Sequence, residues 1–165
     1  MFELKKISNE SIPSALEKAE RYRLLNEPSL TESICTDILA IDANNGKAIV
    51  VLLLAITDQF GGSSSDDVNR AKQLIERLPD DYEKQYYSGI ISERKAKSIL
   101  HKGNPESEFI AFELLRDAMD FYEAAELIRP VANDDAILRW NTCARLIVKH
   151  RLQARSERYV EPMLE

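Results

Sequence analysis

Three carboxylates, Glu113, Asp117 and Asp120, recur at intervals of four and three residues, the spacing that places side chains on one face of a helix. Buried together, they could hold a divalent cation or share a proton for acid-base work; left in water, they are the solvated side of an amphipathic helix, which is the reading preferred here. A nucleophile would need a neighbouring base. Cys143, inside Trp140-Asn141-Thr142-Cys143-Ala144-Arg145, has no histidine close by in sequence, and Cys35 likewise sits among apolar residues. Both read as small buried hydrophobes of a reduced protein. Neither histidine, His101 or His150, has a second ligand at metal-binding spacing. Gly61-Gly62 is followed by serines and aspartates, so it lacks the Gly-Lys-Ser/Thr ending of a phosphate-cradling loop. No catalytic residue, cofactor or metal is therefore expected.

One further segment invites a surface role. In Tyr86-Tyr87-Ser88-Gly89-Ile90-Ile91-Ser92-Glu93-Arg94, adjacent tyrosines point to different faces, and a charged pair follows within two turns. One tyrosine is expected to pack and the other to face a partner. Trp140, flanked by Ile137 and Leu138, is expected to pack rather than anchor a ligand.

The elements that must position these residues follow from periodicity and breakers. Apolar residues recur at three- and four-residue intervals through the 165 residues, which predicts about seven helices, no strand and an all-α fold in one domain. The expected helices run from about Ser11 to Asn26, from Ser29 with a capping box in Ser29-Leu30-Thr31-Glu32, and through the apolar run Ala48 to Phe60, the most buried. Three more span up to Leu78, Tyr82 to His101, and Glu106 to Ile128. A seventh opens at Asn133-Asp134-Asp135 and extends past Arg151. Gly61 to Asp67 is expected to form a flexible loop, and the residues near Pro162 to fray.

Composition narrows the partners. A formal charge of −6 argues against general nucleic-acid binding. The longest apolar run is too short to span a bilayer, so no membrane is expected and a cytoplasmic setting fits best. Charge is nevertheless segregated: Glu and Asp dominate from Glu106 to Glu126, whereas Arg139, Arg145, Lys149, His150, Arg151, Arg155 and Arg158 collect toward the end. Attraction between two neighbouring helices is the simplest account, with an anion-binding tail as the alternative.

Small residues recur with the helix pairs, in Ala19-x-x-Tyr22, Ile38-Leu39-x-Ile41-Asp42-x-Asn44 and Ala124-Ala125-Glu126-x-x-x-Pro130-x-x-Asn133. This pattern resembles the tetratricopeptide repeat, a helix-turn-helix unit of about 34 residues. In that register Ala19 and Gly89 take the eighth position, Ala118 the twentieth, Tyr122 the twenty-fourth and Ala125 the twenty-seventh. Units of about 12–43, 46–79 and 82–130 would be followed by a capping helix at about 134–153. Thr31, Ile38 and Leu74 stand where alanine is usual, and the second and third units carry extra length.

The resemblance implies a right-handed superhelix of antiparallel helix pairs whose first helices line a concave groove. The groove positions would hold Leu16, Glu20, Arg23 and Leu24; Lys47, Val50, Leu54, Thr57 and Asp58; Glu83, Tyr86, Ile90, Glu93 and Arg94; and Ile137, Asn141 and Arg145 on the cap. Of these, Glu20, Arg23, Asp58, Tyr86, Glu93, Arg94, Asn141 and Arg145 are the expected partner contacts. The family's clamp for a C-terminal carboxylate is missing, since Leu16 and Glu20 occupy positions it needs. The expectation is a non-enzymatic interaction or scaffold module that takes a peptide or helix of another protein. The alternative is a homo-oligomer whose basic C-terminal segment meets the acidic helix of another copy.

Overall fold

The computed structural model describes residues 2–62 and 66–156. Ser63 to Ser65 of the expected loop, Arg158 and Pro162 lie outside the described residues. Those described form a short 3-10 turn at Asn9–Ser11 and seven helices: α1 Ile12–Leu24, α2 Pro28–Ile41, α3 Gly46–Asp58, α4 Asp67–Ile75, α5 Asp81–Leu100, α6 Pro105–Leu127 and α7 Asp135–His150. No strand occurs among them.

Local chemistry sets the boundaries. Asn45, Asp80 and Asn104 each accept a hydrogen bond from the backbone N–H three residues ahead, giving α3, α5 and α6 side-chain caps. Prolines at the start of α1, α2 and α6 use their fixed φ where no N–H is needed. The capping box expected at Ser29 does not form. Pro28 moves the helix start upstream, Ser29 donates to Gln59 instead, and the Thr31 hydroxyl reaches the carbonyls of Ala19 and Glu27. Two helices end in the same way on a non-glycine left-handed residue: Asn26 after α1 (φ 61°) and Arg151 after α7 (φ 52°). At each, the next residue's N–H returns to the carbonyl five back, Glu27 to Tyr22 and Leu152 to Ile147, closing the helix and turning the chain. Helix α7 thus stops at His150, short of the expected extension, and Leu152 folds back into the core.

Each helix packs on its chain neighbour, and α1 also touches α3, as α3 touches α5. The apolar interior falls into two clusters. One gathers Ala19, Cys35, Ile49, Leu53, Ile56, Leu74 and Leu78 from α1 to α4 and the turn after it, with Ile91 of α5; the other gathers Ile90, Leu115, Ala118, Tyr122, Ala125 and Cys143 from α5 to α7. Leu54 and Tyr87 pack against both. Helix α3, with eight buried residues, is the most deeply enclosed, as its apolar run implies. Among the described residues no helix is long and apolar enough to cross a membrane.

Candidate functional site

The charged side chains of α1, α3, α5 and α7 converge on one band. Asp58, at the end of α3, receives Arg23 of α1, with Nε 2.7 Å from Oδ2 and Nη2 donating to Oδ1 at 3.3 Å. From the other side it receives Arg94 of α5, whose Nη1 also donates to Thr57 Oγ1 at 2.6 Å and to the Leu54 carbonyl at 3.1 Å. The Arg23 Nε–H is close to the carboxylate without being aimed at it, and this buried nitrogen has no hydrogen-bond acceptor.

One residue before Arg94, Glu93 turns inward and its side chain is fully buried. Its carboxylate accepts the Tyr122 hydroxyl at 2.7 Å, pairs with Lys97 one turn on, and meets Arg139 of α7 at 3.2 Å. Every oxygen is engaged, as burial of a charge demands. Burial and the Glu93 charge together push the Tyr122 hydroxyl far above the ordinary phenol range. Desolvation lowers Arg94, with Asp58 opposing it and Arg23 and Arg139 adding to it, so the three guanidinium groups share one electrostatic neighbourhood.

The aromatic segment lies beside this band. Tyr86 stacks on Tyr82 at 5.8 Å, meets Tyr87 edge-on at 5.1 Å, and leans on Tyr122 at 5.9 Å. Both tyrosines of the pair are half-buried, and Tyr87 packs against both apolar clusters.

The structure therefore redistributes the expected contacts. Arg23, Asp58 and Arg94 come together, and Tyr86 lies near Arg139. Glu93, expected as a partner contact, belongs to the interior, where its buried carboxylate is balanced by Lys97 and Arg139. Glu20 is exposed on α1, Asn141 is half-buried and Arg145 is exposed. On α7 it is Arg139 and Cys143 that approach Glu93, rather than Asn141 and Arg145. Arg139 and Lys97 were missed by sequence reasoning; the signal available was Arg139 lying one turn before the apolar Cys143, hence on the inward side of its helix. Arg94 is held by three partners and its side chain is only 18% exposed, so Arg94→Glu costs stability as well as contacts, contrary to the surface role read from sequence.

The other chemical candidates resolve simply. Glu113, Asp117 and Asp120 are exposed on α6, and no group of three potential ligands able to hold a metal occurs among the described residues. Burial pushes both cysteine thiols up to about 12, with Glu32 and Glu20 adding to the effect at Cys35 and Glu93 at Cys143, so neither is a thiolate at neutral pH. Trp140 packs against the second cluster and donates Nε1–H to Glu123 at 2.9 Å. The acidic and basic segments do adjoin: α6 packs on α7, and Arg155 pairs with Glu106 and lies over the Phe109 ring at 5.6 Å.

These raised groups give the protein an alkaline limit. Cys35, Cys143, Tyr87 and Tyr122 are all held protonated in the folded state, Tyr87 up to about 12 and chiefly by burial. An unfolded chain releases thiol protons near about 8.5 and phenol protons near about 10. The stability these groups confer is thus complete below that range and is lost as pH rises toward their folded values. Urea midpoints measured at pH 7.5, 9.5 and 11 should fall steadily across the last two; a flat profile would contradict the burial described.

The chain matches no family model, no curated protein and no solved structure.

Proposed function

We propose that the chain is a non-enzymatic interaction module that holds an extended acidic peptide of another protein across α1, α3, α5 and α7. One observation carries the reading. Along this band four cations, Arg23, Arg94, Lys97 and Arg139, share two carboxylates, Asp58 and Glu93, in a protein whose formal charge is −6. Lys97 and Arg139 keep 39% and 33% of their side-chain surface in water, so the unmatched positive charge is reachable. An anionic chain laid over it gains charge-assisted hydrogen bonds where it is most desolvated.

The tetratricopeptide-like superhelix belongs to the same proposal. It is supported by the zero exposure of Ala19, Ala118, Tyr122 and Ala125 and by the contacts of α1 with α3 and α3 with α5. Four helices at about 9 Å spacing span roughly 27 Å, the reach of about eight extended residues. Apolar Val50 and Leu54, half-buried beside the band, would meet the peptide's alternate side chains.

The test is fluorescence anisotropy with labelled Glu-Ser repeat peptides of about twelve residues, a length set by that span. Glutamate peptides should bind saturably and weaken as salt rises from about 20 to about 200 mM, while the Gln-Ser counterpart should not bind. Arg23→Gln with Lys97→Gln should weaken binding by about tenfold, or about 1.4 kcal/mol. Equal binding of the glutamine peptide, or no saturable signal, would overturn the proposal.

A further inference from the structure

Away from the charged band, a cleft of about 820 Å³ opens between α4, α5 and α6. Its floor is apolar, with Val68 and Ile75 from α4, Ile91 from α5, and Leu114 and Phe121 from α6. Its α6 wall carries Asp117 and Asp120, and its α4 wall ends at Glu76. The cleft exists because α4 is short. Nine residues of α4 lie opposite the twenty-three of α6, so the two make little or no contact over α5 and a gap remains between them.

A second feature of the same chain has the matching chemistry. Helix α7 is the last helix among the described residues, and it carries Leu138 at 61% and Val148 at 77% exposure, large apolar groups left in water. Successive residues turn by 100° on a helix, so Leu138, Thr142, Arg145 and Lys149 fall within about 60° of one another, and Val148 lies about 60° beyond Arg145, flanking the stripe. Arg145 and Lys149 are exposed on it, and neither forms an ion pair among the described residues. From Leu138 to Lys149 the stripe is about 16 Å long, against about 14 Å for α4.

The geometry points to head-to-tail self-association, in which the α7 stripe of one copy lies in the α4–α5–α6 cleft of the next. Leu138 and Val148 cover the apolar floor, while Arg145 and Lys149 face Asp117, Asp120 and Glu76. The remaining rim cations, Lys72 and Lys95, stand on α4 and α5, with Lys72 one turn before Glu76, and Asp120 lies 4.0 Å from Arg116 on its own helix. The contact uses two different surfaces, so each copy retains one open cleft and one open stripe. Assembly therefore continues beyond the dimer unless the rotation closes a ring. The surface is distinct from the peptide-binding band, and either proposal can fail without the other.

Light-scattering mass across micromolar to near-millimolar protein tests this directly. The wild type should rise from 18.8 kDa past twice that value as concentration increases. A stripe variant, Leu138→Asp with Arg145→Glu, and a cleft variant, Asp117→Arg with Asp120→Arg, should each remain monomeric with unchanged helicity, since all four side chains are exposed. An equimolar mixture of the two variants should then form a discrete 1:1 dimer, because one sound cleft and one sound stripe remain. A monomeric wild type would overturn the inference. Single-face variants that still associate, or a mixture that stays monomeric, would overturn it equally.

Discussion

Gly89→Leu should lower stability by about 3 kcal/mol, the upper end of overpacking costs, and the melting temperature by roughly 6–12 °C for a chain of this size. Even a methyl group at Gly89 would lie 2.7 Å from Tyr122 Cδ1 and 2.8 Å from Cζ, with Cε1 closer still. That ring cannot retreat, because it is fully buried and its hydroxyl is bonded to Glu93. Exchanging glycine for a better helix former gains about 1 kcal/mol in a helix interior, which the clash outweighs. Thermal unfolding of Gly89→Leu measures the balance. A melting temperature at or above the wild-type value would mean that α5 and α6 are not in the close contact described.

Glu93→Ala should cost about 3 kcal/mol, the low end for removing one partner of a buried ion pair, because Lys97 and Arg139 are part-exposed and can partly rehydrate. The Tyr122 hydroxyl, with no route to water, loses its acceptor and adds to the penalty. The same substitution raises the positive excess along the band, so binding of a glutamate peptide should hold or improve while stability falls. Urea unfolding and peptide titration on one preparation separate the two effects. A loss below about 1 kcal/mol would show that Glu93 is not the buried charge described.

What could be read from the chain was the part encoded locally. Helix number and the enclosure of α3 follow from apolar spacing. The close packing at Gly89, Ala118, Tyr122 and Ala125 was expected from the register of the repeat they resemble, where small residues mark close helix approach. Boundaries were less secure where two signals competed. At α2, Pro28 displaced the Ser29 cap, and at α7 the left-handed Arg151 ended a helix whose sequence could have continued.

The band itself was half visible. Arg23, Asp58, Glu93 and Arg94 were all placed at groove positions by the repeat register, but Glu93 is buried instead of meeting a partner. Its burial depends on Tyr122, Lys97 and Arg139, the nearest four residues away in sequence and the farthest forty-six, and such compensation has no local signature. The cleft was invisible for a similar reason: it is an absence produced by the unequal lengths of α4 and α6.

The division of the interior has a further bearing on how such a chain can change. The two clusters share α5, which gives Ile91 to one and Ile90 and Ala96 to the other, and Leu54 and Tyr87 pack against both. Apolar mass is held in parcels rather than in one shared centre. A helix could be added or lost beyond α1 or α7 without recutting the packing of the far parcel, whereas a change in α5 would disturb both. The architecture thus leaves the molecule's reach open to revision while its individual contacts stay fixed.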